Sequence, residues 1–122
     1  MRFMIMVKAT PQSEAGAMPD QAFMASVAEY HEQLAKAGVL LDEAGLQPTS
    51  QGWRMRHGAH GQHTLIDGPF ADTQALVAGY TLIQVRSREE ALEWTRRFPA
   101  PMGEGMEAEI EVRQLCDERS PS

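Results

Sequence analysis

The segment Asp67-Gly68-Pro69-Phe70, followed by Ala71-Asp72-Thr73 and then by Gly79-Tyr80, contains a rigid turn signal in the middle of this sequence. Glycine reaches backbone angles that are closed to other residues, and proline fixes φ at about −65° and removes a backbone donor. An acidic residue directly before this pair suits the end of a strand. We therefore expect a strand that ends at Asp67, a tight turn, and a further strand that begins near Tyr80.

Two short strands are predicted before this turn, one from Trp53 to His57 and one from His63 to Asp67. A glycine-containing loop between them is typical of a hairpin. Pairing His57 with His63 collects the apolar residues on one face, whereas a one-residue slip would mix them with arginines. This register puts Asp67 opposite Trp53, and we expect the Asp67 side chain to point inward there.

Hydrophobic periodicity predicts a strand, a helix and a strand before the hairpin, and the same series after the turn. Before the hairpin these elements are a strand at residues 3–7, a helix from about Pro19 to Lys36 that Gly38 ends, and a strand at residues 39–41. After the turn they are a strand at residues 80–86, a helix, and a strand at residues 108–113. The second helix begins with a capping box at Ser87 and Glu90, and its inward-facing residues are Ala91, Leu92, Thr95 and Phe98. Residues 10–18 are expected to form a loop.

This order predicts an α+β fold: a ferredoxin-like βαββαβ unit with an inserted β-hairpin, in which both helices cover one face of an antiparallel sheet. The first strand carries Phe3, Ile5 and Val7 on one side and Met4 and Met6 on the other, so it is apolar on both faces. Because the helices cover only one face, a second copy of the chain is the simplest cover for the other. We expect a homodimer, with residues 1–116 as one domain and residues 117–122 as a flexible tail.

The composition narrows the range of partners. The chain has 122 residues, of which 43% are hydrophobic, enough for one globular core. Eleven basic and seventeen acidic residues give a formal charge of −6, which argues against nucleic acid and against an anionic membrane surface. Cys116 is the single cysteine, which excludes an intrachain disulfide and suits the cytoplasm.

The turn and its flanking residues resemble the DGPF group of the YCII-related proteins. The resemblance runs from Met1 to about Leu115 and includes the following segments: Asp67-Gly68-Pro69-Phe70 with Thr73 and Gly79-Tyr80, Ala37-Gly38-Val39-Leu40, Gly45-Leu46-Gln47-Pro48, Glu90-Ala91-Leu92-Glu93-Trp94 and Glu111-Val112-Arg113. It implies a dimeric α+β barrel with a pocket near the turn, and a His–Asp pair as the catalytic element. Asp72, Gln74 and Ala75 differ from the glutamate, lysine and acid that are common in the group.

His31 and Asp67 are the candidate catalytic residues. His31 follows Tyr30 on the shoulder of the first helix's apolar stripe, from which it could reach the sheet or a pocket rim. Imidazole is a serviceable general base near neutral pH, and a carboxylate would hold its tautomer. In the structural alternative, Asp67 accepts backbone N–H groups of its own turn and His31 is a solvated helix residue.

Trp53, Phe70 and Tyr80 are candidate ligand-binding residues, since ligand pockets are mostly apolar. Each could instead be ordinary core. His57, His60 and His63 could bind a transition metal at the hairpin tip, although a solvated tip between two glycines explains them better, and we predict neither metal nor cofactor.

Three functions stay open at this point. The first is a small dimeric protein with acid–base chemistry on a small organic molecule. The second is a non-catalytic ligand-binding or accessory module. The third is a metal-binding protein.

Overall fold

A computed structural model describes residues 1–17, 20–99 and 109–116. In chain order the elements are β1 (Arg2–Lys8), α1 (Pro11–Glu14), α2 (Gln21–Lys36), β2 (Leu40–Gly45), β3 (Trp53–His57), β4 (His63–Asp67), β5 (Val77–Gln84), α3 (Arg88–Arg96) and β6 (Ile110–Gln114), with single 3₁₀ turns at Thr49–Gln51 and Thr73–Ala75. The predicted tail at residues 117–122 lies outside the described residues.

Four strands form one antiparallel sheet in the order β2-β5-β1-β6, and β3 pairs with β4 in a separate two-stranded sheet. The predicted mixed α+β class with an antiparallel sheet is thus confirmed. The hairpin is inserted between β2 and β5, as the sequence indicated. Its register is also as predicted, with His57 opposite His63 and Trp53 opposite Asp67.

The core lies between α2, α3 and one face of the four-stranded sheet. Ile5, Leu34 and Ile83 are its fully buried side chains among the residues described. Two strand pairs, Met4 with Leu82 and Met6 with Tyr80, alternate with these core positions and therefore lie on the opposite face, which we call the open face. These four side chains are half-buried in the single chain.

Two expectations about the first half of the chain change. Residues 11–14 form the helix α1 within the predicted loop, because the Thr10 hydroxyl accepts from Ser13 N at 3.1 Å and the Ser13 hydroxyl accepts from Thr10 N at 2.9 Å. This reciprocal cap satisfies donors at a helix start. Helix α2 begins at Gln21 after the cap Asp20, and Pro19 lies outside the described residues.

The end of α2 and the start of α3 agree with the sequence. Gly38 follows α2 with a φ of 74°, a conformation that favours glycine. Ser87 caps α3 by accepting from Glu90 N at 3.1 Å. The inner face of α3 differs, since Leu92 is 38% exposed whereas Trp94 packs on the core. The wide ring of Trp94 reaches the core from the edge of the inward-facing side of α3, which the hydrophobic periodicity alone did not indicate.

Both tyrosines have raised pKa values. Burial raises the pKa of Tyr30 from 10.0 to about 12, partly offset by the nearby Arg97 guanidinium, and the Tyr30 hydroxyl donates to the carbonyl oxygen of Trp94 at 2.7 Å. The pKa of Tyr80 is raised first by the hydrogen bond that its hydroxyl donates to Asp42 Oδ2 at 3.0 Å, and then by the charge of that carboxylate.

We therefore expect the absorbance of tyrosinate to develop above pH 10 in the native protein. Because the Tyr30 pKa is higher in the folded state, its contribution to the free energy of unfolding is fully present below pH 10 and is lost as the pH rises toward about 12. Replacing Asp42 with asparagine should lower the pKa of Tyr80, as measured by absorbance titration of a Tyr30→Phe background. An unchanged Tyr80 titration in that variant would contradict the role of Asp42.

Candidate functional site

His31 is held between a carboxylate and a hydroxyl. It lies on α2, and its Nδ1 is 3.1 Å from Glu43 Oε2 on β2, while its Nε2 is 2.8 Å from Thr81 Oγ1 on β5. The imidazole is 14% exposed and the Glu43 side chain is 48% exposed, whereas Thr81 is buried. Helix and sheet thus fix both nitrogens of one ring at the boundary between core and solvent.

A bulge in β2 brings Glu43 to this position. Leu40 pairs with Ile83, but the next paired residue is Asp42, opposite Leu82, and the register shifts between Leu40 and Asp42. Leu41 is the additional residue of this bulge. An extra residue in a strand reverses the face on which the following side chains lie. Glu43, opposite Thr81, therefore joins the helix-covered face, and Asp42 joins Tyr80 on the open face.

The arrangement fixes the direction of the hydrogen bonds. An ionised carboxylate can only accept, so the Nδ1–H of His31 donates a hydrogen bond to Glu43. In the neutral ring, Nε2 then accepts from the Thr81 hydroxyl, and in the protonated ring Nε2 donates to Thr81. A carboxylate, an imidazole and a hydroxyl stand in this order, and in such an arrangement the carboxylate holds the tautomer and orientation of the ring.

Asp67 does not take part in this group. The prediction that it points inward is wrong for the single chain, because Asp67 is exposed and its strand partner Trp53 is 65% exposed. The hairpin forms its own two-stranded sheet, so its apolar face does not lie under the helices. Of the described side chains, those within hydrogen-bonding or ion-pairing distance of His31 belong to Glu43 and Thr81.

The turn after Asp67 is fastened to the 3₁₀ turn at Thr49–Gln51. Gly68 N donates to the carbonyl oxygen of Gly52 at 3.0 Å, and Phe70 N donates to Thr49 Oγ1 at 3.0 Å. The carboxylate of Glu14 accepts in turn from Thr49 N at 3.1 Å and from the Thr49 hydroxyl. The rigid turn expected from the sequence is therefore stabilised by groups outside the turn. We call the Glu14–Thr49 contact the latch.

The three predicted ligand-binding residues lie apart from His31. Trp53 is exposed on the hairpin, and Phe70 is half-buried with the Arg54 guanidinium 3.8 Å above its ring centre. Tyr80 lies on the open face, where its hydroxyl donates to Asp42. No hydrogen bond or ion pair of the described residues joins any of these side chains to His31 or Asp67.

The hairpin histidines form a pair, with the ring centres of His57 and His63 4.6 Å apart. Within residues 1–17, 20–99 and 109–116, no group of three or more His, Cys, Asp or Glu side chains has the arrangement of a metal site. The pairing of His57 with His63 is confirmed, and His60 is not gathered with them into such a group.

Glu43, Thr81, Thr49 and Glu14 are the site residues that the sequence did not reveal. His31 was found because it adjoins an apolar helical stripe, but its partners lie on strands about 12 and 50 positions away along the chain. The polar pair Asp42-Glu43 inside a short strand was the available signal for a carboxylate near α2. Nothing in the local pattern indicated that Glu14 would contact Thr49.

Comparison of the sequence with known proteins gives two results. The sequence pattern of the YCII-related domain matches residues 1–115. An uncharacterised protein from Rhizobium meliloti (strain 1021) is 35% identical over 77 residues, which are 63% of this chain; the matched part spans 61% of that relative. None of the described helices is both long and apolar enough to cross a membrane.

A solved structure is similar to this chain over most of its length. It is 5-chloro-2-hydroxyhydroquinone dehydrochlorinase from Burkholderia phenoliruptrix AC1100, in complex with 2,5-dihydroxybenzoquinone. The identity is 16% and the TM-score is 0.47, with 95% of this chain and 94% of that chain covered.

Proposed function

This chain belongs to the YCII-related family, and we propose that it is an enzyme that transfers a proton to or from a small organic molecule through His31. In this proposal Glu43 is a positioning residue that holds the ring and its tautomer. The Thr81 hydroxyl holds the ring of His31 from the side of the sheet. The assignment replaces Asp67 by Glu43 as the carboxylate partner of the histidine.

The observation that carries this proposal is the pair of contacts on His31, at 3.1 Å to Glu43 and 2.8 Å to Thr81. Holding an imidazole by both nitrogens costs side-chain entropy, and a purely structural contact to Thr81 would need only one of them. The second contact sets which nitrogen carries the proton, as the carboxylate does in hydrolase triads. The exposed edge of Glu43 leaves this group within reach of solvent and small molecules.

We also propose that the active form is a homodimer packed through the open faces of two sheets, as a dimeric α+β barrel of the DGPF group. The half-buried side chains of Met4, Met6 and Leu82 support it, since a second sheet would remove them from water. Tyr80 and Asp42 would then line the interior of the barrel, where Tyr80 keeps its proposed role toward a ligand. We place this dimer in the cytoplasm.

A second candidate function is a non-catalytic small-ligand-binding module, in which Trp53 and Phe70 belong to the binding surface. One observation favours it: both ring nitrogens of His31 already have partners inside the protein. A general base needs a nitrogen that reaches the proton of its substrate. In a binding module the same contacts would serve only to join α2 to the sheet.

Incubation with an extract of small cellular metabolites distinguishes these two functions. Purified protein is incubated with the extract, and mass spectrometry follows which compounds disappear and which appear. We expect the wild-type protein to convert at least one compound and His31→Gln to leave it unconverted. The matched control is His57→Gln, which changes an exposed histidine on the hairpin.

Two results would overturn the enzymatic proposal. The first is that the wild-type protein retains a compound through ultrafiltration without converting any, which would favour the binding module. The second is that His31→Gln and His57→Gln convert the same compound as fast as the wild type does.

A further inference from the structure

A cleft between α1 and the Thr49–Gln51 turn is not part of the His31 group. The Asp67-Gly68-Pro69-Phe70 segment, which we call the signature turn, contacts the same 3₁₀ turn through Phe70 N. The cleft has a volume of about 610 Å³ and lies between the end of α1 and the segment from Gly45 to Gln51, with Ala78 of β5 also in its wall. This volume is in the range of about 300–1,000 Å³ that is typical of small-molecule sites. We call it the α1 cleft.

The described side chains that line the α1 cleft carry no charge. Its polar side chains belong to Ser13, Gln47, Ser50 and Gln51, and none of its described lining residues is acidic, basic or histidine. A charged ligand would lose hydration there without gaining an opposite charge. Amide and hydroxyl groups can donate to and accept from a neutral ligand at once.

The signature turn explains why the cleft has a fixed shape. One wall comes from α1 and the other from the 3₁₀ turn that contains Thr49, and the latch joins them through the carboxylate of Glu14. Thr49 also accepts from Phe70 N of the turn. The two walls are thus held together by hydrogen bonds within the protein, so a ligand would meet a preformed site.

We propose that the α1 cleft binds an uncharged small molecule that carries a carboxamide or hydroxyl group, recognised by Gln47 and Gln51 together with Ser13. This site is separate from the proton transfer proposed for His31. The Asp67-Gly68-Pro69-Phe70 turn then serves recognition by supporting the wall of the cleft, and its own side chains need not contact the ligand.

Three probes with the same ring test this proposal: benzamide, benzoate and benzylamine. Each is titrated into ¹⁵N-labelled protein, and the backbone amide signals of residues 45–51 are followed by NMR. We expect saturable shifts with benzamide, and an apparent Kd at least about tenfold higher for the two charged probes, equivalent to about 1.4 kcal/mol of binding free energy. Benzamide shifts that do not saturate, or that saturate equally with benzoate, would overturn the proposal.

Variants locate the probe within the cleft. Gly45→Val adds a side chain in the wall where a Cβ meets no atom within 4 Å, so it should narrow the cleft without disturbing the fold and weaken benzamide binding. Gln47→Met and Gln51→Met should each weaken binding by about tenfold through loss of an amide partner. Gln114→Met, on the exposed end of β6, is the matched control and should bind as the wild type does.

His31→Gln distinguishes this inference from the enzymatic proposal. The variant should bind benzamide with an unchanged Kd even if it has lost turnover. Undiminished benzamide binding by Gly45→Val would show that the probe binds elsewhere, which would overturn the assignment of the α1 cleft whatever the result at His31.

Discussion

Replacing Gly68 with alanine is expected to lower the free energy of unfolding by about 3 kcal/mol or more. A Cβ at this position would overlap with the carbonyl group of Thr49, which is backbone and cannot rotate away as a side chain could. Thr49 is also held by the latch and by Phe70 N. Relief of the overlap must therefore displace the 3₁₀ turn, the signature turn, or both. Urea unfolding followed by circular dichroism measures the loss.

Gly52→Ala is the matched control for this variant. A Cβ at Gly52 faces the same Thr49 carbonyl oxygen but at 3.7 Å, an ordinary contact, and its φ of −125° suits any residue. We expect this variant to change the free energy of unfolding by less than about 1 kcal/mol. Equal stability of Gly68→Ala and Gly52→Ala would show that the close approach to Thr49 does not constrain the turn.

For the reaction identified with the metabolite extract, His31→Gln is expected to lower kcat by about 10²–10⁴, the usual contribution of a general acid or base. Glu43→Gln should lower kcat by about tenfold or more while KM stays near its wild-type value, because the amide no longer fixes the tautomer of the ring. Glu43→Asp should recover part of the lost rate. Steady-state kinetics of proteins with matching circular dichroism spectra provide the measurement.

Asp67→Asn separates the two carboxylates that could serve His31. The structure pairs the histidine with Glu43, so kcat should be unchanged in Asp67→Asn. If this variant instead loses activity while Glu43→Gln retains it, the catalytic carboxylate is Asp67 and the assignment of Glu43 is wrong. A rate that is equal in His31→Gln and the wild type would remove the histidine from the mechanism.

The sequence was sufficient for those parts of the fold in which a local pattern has one physical solution. The hairpin register follows from matching apolar residues across two short strands, and the structure pairs His57 with His63 as expected. Gly38 ends α2 because an abrupt reversal of the chain needs its positive φ. The turn at Gly68 was likewise visible because glycine permits backbone angles closed to other residues and proline fixes φ.

The site was less predictable because its geometry depends on one inserted residue. Alternation along Leu40, Leu41 and Asp42 assigns each side chain to a face, and the bulge at Leu41 reverses that assignment for Glu43. Bulges have no local sequence signature of the strength of a glycine turn. The prediction that Asp67 points inward was wrong for a different reason. Strand pairing within a hairpin does not show which layer, if any, will cover a face of that hairpin.

Among the described strands, the two at the edges of the main sheet, β2 and β6, also limit how this protein can aggregate. An edge strand with regular, unpaired N–H and C=O groups is a template for strands of other molecules. Here β2 is interrupted by its bulge, and β6 carries Glu111 and Arg113, with Lys8 3.5 Å from Glu111 on the neighbouring strand. Irregularity on one side and charge on the other oppose fibril-like growth along the hydrogen-bonding direction.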